Sequence, residues 1–308
     1  MKKSNAGFRK EYSAFTGFSK DFILQDFNRN TDANKLFYSF IEKAIKSGGN
    51  SKQKLLEIGS GTGRNACYLA NKHPKSEVYA LDILKESVVS GKRIAKILKC
   101  KANLKFMQGD ATKLQYPKNY FDIIYSQGTL EHFKDVSVIF KEQVRVLKPE
   151  GTLIINVPQT YSYYTIKKHL GMMLNRWEPG WETQYSYGDL KRLGRKFGLK
   201  LTAIGGQEYD SKLIELVKAY GFLSKTLIPK KADDFLKAGW KKFKDKYGHL
   251  FLLEIIAVYE PLRTYVRSFG EWNSNHYSCR IHPRSYLRGF LRHTRHKKPD
   301  GRTVRPLP

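Results

Sequence analysis

Acidic side chains are scarce in this sequence: 28 Asp and Glu stand against 56 Lys and Arg in 308 residues, for a formal charge of +28. So basic a surface attracts anions, whether nucleic acid, an anionic membrane surface or a phosphorylated molecule, and does not choose among them. Residues 261–308 carry +9 of that charge and the rest of the chain +19, so a basic tail is not the whole explanation. Cysteine is rare as well. Cys67, Cys100 and Cys279 are an odd number without C-x-x-C spacing, which argues against a disulfide framework or a zinc site. A reducing cytoplasm is the expected home. Long apolar runs are missing: Leu250–Tyr259, itself broken by Glu254, falls well short of the roughly 20 residues that span a bilayer. No apolar stretch follows Lys2 and Lys3, so no signal peptide is expected.

What is present is a packed domain's composition, with 41% hydrophobic residues. Aromatics at Phe8, Tyr12, Phe15, Phe18 and Phe22, then Leu36, Phe37, Phe40, Ile41 and Ile45, recur at helical spacing. They predict a helical N-terminal cap over residues 1–50, closed by the breaker Gly48-Gly49-Asn50-Ser51. Short apolar runs follow at 55–58, 78–81, 104–107, 121–125 and 153–157, with helical patterns between most of them. That alternation predicts a doubly wound α/β domain over 51–260 with a parallel sheet covered on both faces. A sixth strand is expected at 199–204 and a seventh at 250–258, with insertions near 158–188 and 207–248. Residues 261–308 read as a weakly ordered basic tail.

Leu55-Leu56-Glu57-Ile58-Gly59-Ser60-Gly61-Thr62-Gly63 is an apolar strand entering a glycine turn, with a helix from about Arg64. In open α/β sheets such a turn sits where ligands bind, and glycines let a ligand lie against bare backbone. The third glycine comes one residue too early for a dinucleotide fingerprint, and no Gly-Lys-Ser/Thr follows for a P-loop. Asp82 closes the second strand, where a carboxylate can accept both hydroxyls of a ribose. Gly109-Asp110-Ala111 closes the third, with Asp110 placed to accept from an adenine amino group. Ser126-Gln127 closes the fourth.

On these residues the chain resembles the small-molecule, type 11-like branch of class I S-adenosylmethionine-dependent methyltransferases. The likeness covers roughly 54–206. It includes the E-x-G-x-G-x-G turn, Asp82, Gly109-Asp110-Ala111, Phe121-Asp122, Leu130-Glu131-His132 and Arg145-Val146-Leu147-Lys148-Pro149-Glu150-Gly151. The resemblance implies a seven-stranded Rossmann-like sheet with its last strand antiparallel, and S-adenosyl-L-methionine as cofactor. It implies that Glu57 lies near the methionine amino group, Gly59 and Gly61 against the cofactor backbone, Asp82 on the ribose, and Asp110 with Ala111 on the adenine. Gly63, Ile83 and Gln127 complete the expected cofactor set. Glu150 departs from the family's second glycine, and a local change of turn is expected there. Similar quinone-pathway O-methyltransferases carry E-x-x-E-H as a metal site; here Gly128 holds the first position, so no metal is expected.

His132, with Glu131, is the candidate catalytic pair, since neutral imidazole can take a proton near neutral pH; a helix-start pair at the crevice rim is the plainer reading. Trp177, Glu178, Trp181 and Tyr185 are candidates for an acceptor pocket. Residues 233–247 set Phe235, Leu236, Trp240, Phe243 and Tyr247 on one helical face with lysines around it. That pattern suits docking on the sheet or on anionic lipid, so the periphery of a membrane is a further expectation. The expected activity is methyl transfer to a small-molecule, saccharide or lipid-linked acceptor. Two rivals stay open: a nucleic-acid methyltransferase, favoured by charge but lacking an Asn/Asp-Pro-Pro-aromatic signature at Ser126-Gln127-Gly128-Thr129, and a non-catalytic cofactor-binding protein.

Overall fold

The structure, a computed structural model, describes residues 4–49, 51–100, 102–174, 182–207, 253–262 and 302–306. Three helices lead: α1 (Ser4–Ala14), α2 (Lys20–Ala33) and α3 (Lys35–Ser47). The run of N-terminal aromatics is thus two helices, not one. Thr16 and Gly17 turn back onto Ser13 and Ala14 carbonyls, and the Ser19 side chain caps α2 by accepting from the Phe22 N–H. The α/β part then alternates β1 (Lys54–Ile58), α4 (Arg64–Lys72), β2 (Glu77–Asp82), α5 (Lys85–Ile97), β3 (Leu104–Gln108), β4 (Phe121–Gln127), α6 (Val136–Val146) and β5 (Leu147–Pro158). It continues with α7 (Tyr163–Met173), α8 (Tyr187–Lys196), β6 (Leu199–Gln207), β7 (Glu254–Pro261) and β8 (Arg302–Pro306).

The sheet order is β3-β2-β1-β4-β5-β7-β6-β8. β1 to β5 pair in parallel, and β7 runs antiparallel to both β5 and β6, as expected of the seventh strand. β7 begins at Glu254, the residue that breaks the apolar run, four positions later than its sequence pattern suggests. β8, drawn from the basic tail, pairs antiparallel with the outer edge of β6; an open edge offers unpaired backbone groups to any extended segment. Alternate residues of the central strands feed two cores. Leu56, Ile58 and Ile124 pack with Ile139 and Phe140 of α6, whereas Leu55, Ile123 and Tyr125 pack with Phe37 and Ile41 of α3. Burial on both faces explains the nearly continuous apolar strands. The strand order reverses between β1 and β4, which opens a crevice at their carboxyl ends.

The departure at Glu150 falls in a bulge. Phe121 pairs with Leu147, but Ile123 pairs with Thr152, so residues 148–151 bow out, with Glu150 exposed. Gly151 is the constrained neighbour, because a Cβ there would sit 2.9 Å from the Asp122 carbonyl oxygen. Gly151→Ala should therefore lower stability by about 1–3 kcal/mol through overpacking. Glu150→Gly should stay within about 0.5 kcal/mol. Denaturant midpoints of the two variants check this pair.

Residues 208–252 and 263–301 lie outside the described set, and with them the 233–247 helix; so do Trp177, Glu178 and Trp181 of the candidate acceptor patch. Among the described residues no helix is long and apolar enough to cross a membrane.

Candidate active site

The glycine turn is held by its neighbours. Gly59 and Ser60 donate to the Leu81 carbonyl at the end of β2, at 2.9 and 3.0 Å. Gly59, Gly61 and Gly63 all have positive φ, at 69°, 52° and 70°, a backbone conformation that other residues adopt at a cost. Each glycine also faces a different neighbour. A Cβ on Gly59 would strike the Thr129 side chain, one on Gly61 would meet the Tyr12 hydroxyl at 3.1 Å, and one on Gly63 would overlap the Phe106 ring. Gly63 thus serves packing beneath the turn, while Gly59 borders the cleft.

That cleft opens at the ends of β1, β2, β3 and β4. Gly59, Asp82, Ile83, Asp110, Ala111 and His132 line it, all of them residues singled out from the sequence. Asp82, 7% exposed, accepts from the Gly61 N–H at 2.8 Å and from the Leu84 N–H at 2.9 Å. Burial raises its pKa. Two bonds leave acceptor capacity on both carboxylate oxygens, which suits a vicinal diol. Asp110, exposed at the rim, accepts from the Thr112 N–H and hydroxyl at 2.8 and 2.7 Å. Leu81, Leu84, Ala111 and Phe133 give the cleft apolar walls. Its roof is α1: Phe8 and Tyr12 line the cleft, and Phe8 meets the His132 ring edge-on at 5.3 Å. The Tyr12 carbonyl is tied to α5 by Ser90 Oγ at 2.5 Å, and the Phe15 and Phe18 carbonyls by Arg93. Phe18 packs on Phe15 and Phe22 and does not line the cleft. Phe8, Leu84 and Phe133 were missed as site residues; the only trace was the aromatic periodicity of the N-terminus and a phenylalanine directly after His132.

Glu57 and Gln127 do not line the cleft but sit behind the turn in a polar chain. Asn65 donates to Glu57 Oε1 at 3.0 Å and to Gln127 at 3.1 Å, and accepts from the Tyr38 hydroxyl at 2.7 Å. Gln127 donates to Asn34 at 2.6 Å. Arg64, at the position a dinucleotide fingerprint would fill with glycine, binds Asp26 of α2 at 2.7 Å. The N-terminal helices therefore fix the turn by polar contacts as well as packing. Glu57 Oε2 is buried without a hydrogen-bond partner, and desolvation pushes its carboxyl up to about 8. Burial likewise pushes Glu131, 4% exposed, up to about 8, with the carboxylates of Glu182 and Glu254 adding to it.

Both shifts carry one sign. The folded state holds these protons above the unfolded value of 4.5, so it binds more protons than the unfolded chain between about pH 4.5 and pH 8, and stability falls as pH rises through that window. Glu57→Gln keeps the side chain's shape and removes one of the two groups. Its thermal midpoint should fall less than the parent's between about pH 5 and about pH 8, as scanning calorimetry at both pH values would show.

Residues 56–155 match the family model described as "Methyltransferase domain". Phosphoethanolamine N-methyltransferase 1 of Zea mays is 32% identical over 117 residues, covering 38% of this chain and 22% of that protein. The phosphoethanolamine N-methyltransferase of Plasmodium falciparum is 30% identical over 149 residues, 42% of this chain and 53% of its own length. The chain carries a class I S-adenosylmethionine-dependent methyltransferase domain. A solved protein from Galdieria sulphuraria, assigned as a sarcosine dimethylglycine methyltransferase, shares the methyltransferase fold. Its TM-score is 0.52 at 18% identity, over 75% of this chain and 86% of that one. The chain spans about a fifth of the maize relative's length and about half of the Plasmodium relative's. Among the described residues no group of three or more His, Cys, Asp or Glu is placed to bind a metal ion.

Proposed function

We propose that this methyltransferase moves the methyl group of S-adenosylmethionine to a small-molecule acceptor. The carrying observation is the meeting, around one cleft, of the glycine turn, the buried Asp82 carboxylate and the Asp110-Ala111 step. The donor set fits that cofactor. Asp82 would hold the ribose hydroxyls, Asp110 the adenine amino group with Ala111 against the ring, and Gly59 the cofactor's backbone. A bound cofactor's positive charge would bring the buried Glu57 carboxyl back down from about 8, and the resulting carboxylate would offset that charge from behind the turn. When bound, S-adenosylmethionine supplies a methyl made electrophilic by its sulfonium sulfur.

The chain's own work is alignment, exclusion of water and proton handling. Phe8 and Tyr12 close the cleft from α1. His132, braced by Phe8, would accept a proton from an acceptor whose nucleophilic atom still carries one. The test is transfer of labelled methyl from S-adenosylmethionine into fractionated small-metabolite, lipid and nucleic-acid pools. Label should appear among small molecules or lipid-linked metabolites. Label confined to nucleic acid would replace this reading with the nucleic-acid rival, and no label anywhere would leave the non-catalytic one.

A further inference from the structure

Where the helix after the glycine turn meets the N-terminal cap, side-chain amides from three elements and one junction close a ring. Asn34, which ends α2 and opens α3, donates to Asn30 Oδ1 at 3.1 Å. Asn30 of α2 donates to Asn65 Oδ1 at 3.3 Å, Asn65 of α4 to Gln127 Oε1 at 3.1 Å, and Gln127 of β4 back to Asn34 Oδ1 at 2.6 Å. Every bond runs the same way round. An amide has a donor end and an acceptor end, so fixing one member fixes them all. Asn34 is fixed from outside the ring, because its Nδ2 also donates to the Asn30 backbone carbonyl at 3.0 Å. The Tyr38 hydroxyl is a second anchor, donating to Asn65 Oδ1 at 2.7 Å. No amide in the ring can flip without setting oxygen against oxygen at its neighbour.

The ring aims one N–H at the site. The second N–H of Asn65 meets Glu57 Oε1 at 3.0 Å, and Glu57 is 2% exposed. Burial opposes ionisation of that carboxyl, and the Asn65 N–H favours it. An amide turned the other way would present its oxygen and oppose ionisation further. Asp82 of β2, Tyr38 of α3, Cys67 of α4 and Tyr125 of β4 also face Glu57. Burial raises both phenols, and a hydrogen bond with Cys100 together with burial raises the Cys67 thiol, so these three stay neutral near pH 7 and Asp82 is the other acid. Asn34 does not line the cleft; it reaches Glu57 only through the other amides.

We propose that Asn65 is a positioning residue for the cofactor: the amide ring, completed by Asn34 from the N-terminal cap, keeps its N–H on Glu57 so that Glu57 meets the cofactor's positive charge as a carboxylate. This deepens the methyl-transfer reading and rests on S-adenosylmethionine occupying the cleft. Docking of the cap is thereby coupled to cofactor affinity by side chains that do not touch the cofactor.

The full chain is titrated calorimetrically with S-adenosylmethionine at about pH 7, in two buffers of different ionisation enthalpy, so that protons released on binding are counted. Asn65→Leu should weaken binding at least about tenfold, and Asn34→Ala about threefold or more. The parent should release a proton, because Glu57, held up to about 8 in the free chain, ionises on binding. Asn65→Leu should release less of it and Glu57→Gln none. In a Glu57→Gln background both substitutions should cost less than about twofold. Thermal midpoints show which variants are folded, and if Asn65→Leu is not, Asn34→Ala with its Glu57→Gln partner decides. Losses undiminished in the Glu57→Gln background would mean that the ring only packs the cap, and would overturn the proposal. Parent-like affinity in the folded variants, or in Glu57→Gln alone, would overturn it too. In each of these cases binding by the parent leaves the methyl-transfer reading standing. Failure of the parent chain to bind S-adenosylmethionine would overturn that reading and the proposal with it.

Discussion

His132→Ala is expected to lower methyl-transfer turnover by about 10²–10⁴-fold, the range removed with a general base, while cofactor affinity stays within about twofold of the parent. The expectation rests on placement. His132 lines the cleft together with Asp82 and Asp110, from the short turn Leu130–His132. Phe8 packs against its ring from α1, which holds the imidazole in the cleft. Loss of an interaction made only in the transition state lowers turnover without moving binding. Single-turnover rates with saturating cofactor, beside a calorimetric affinity, separate the two quantities. A variant turning over at the parent rate would reduce His132 to a wall of the cleft. A parallel loss of cofactor affinity would place it on the cofactor instead.

Asp82→Ala should weaken S-adenosylmethionine binding roughly tenfold to over a hundredfold, since a hydrogen bond to a charged group contributes about 1.5–3 kcal/mol. Asp82 also receives the N–H groups of Gly61 and Leu84, so the substitution loosens the glycine turn as well as removing the diol acceptor. Asp82→Asn separates these effects. The amide can keep one backbone donor through its oxygen, but its NH₂ group cannot accept from a hydroxyl. The asparagine variant should therefore retain the parent's thermal midpoint better than the alanine variant and still bind cofactor weakly. Unchanged affinity in a folded Asp82→Ala chain would remove the residue from the site.

The parts legible in the sequence are those that local chemistry dictates. β1, β2, β4 and β5 announce themselves because burial on both faces favours nearly continuous apolar runs, interrupted by polar residues mainly toward their carboxyl ends. The glycine turn and the carboxylate ending β2 are visible because their backbone and charge requirements are met within a few residues. β8 was not legible: Arg302–Pro306 carries no strand pattern, and it pairs through backbone groups that any sequence possesses. The break between α1 and α2 was hidden by aromatics that keep helical spacing across Gly17. Gly63 belongs to the glycine turn in sequence, but the packing of a Cβ there against Phe106, 43 positions further on, is a contact that only the folded sheet creates.

The most direct measurement is a calorimetric titration of the full chain with S-adenosylmethionine, with NAD and ATP in parallel cells. The methyltransferase reading predicts one site that saturates with S-adenosylmethionine, is competed by S-adenosylhomocysteine, gives no response to NAD or ATP, and weakens in Asp82→Ala. Binding of NAD or ATP with no response to S-adenosylmethionine would contradict it.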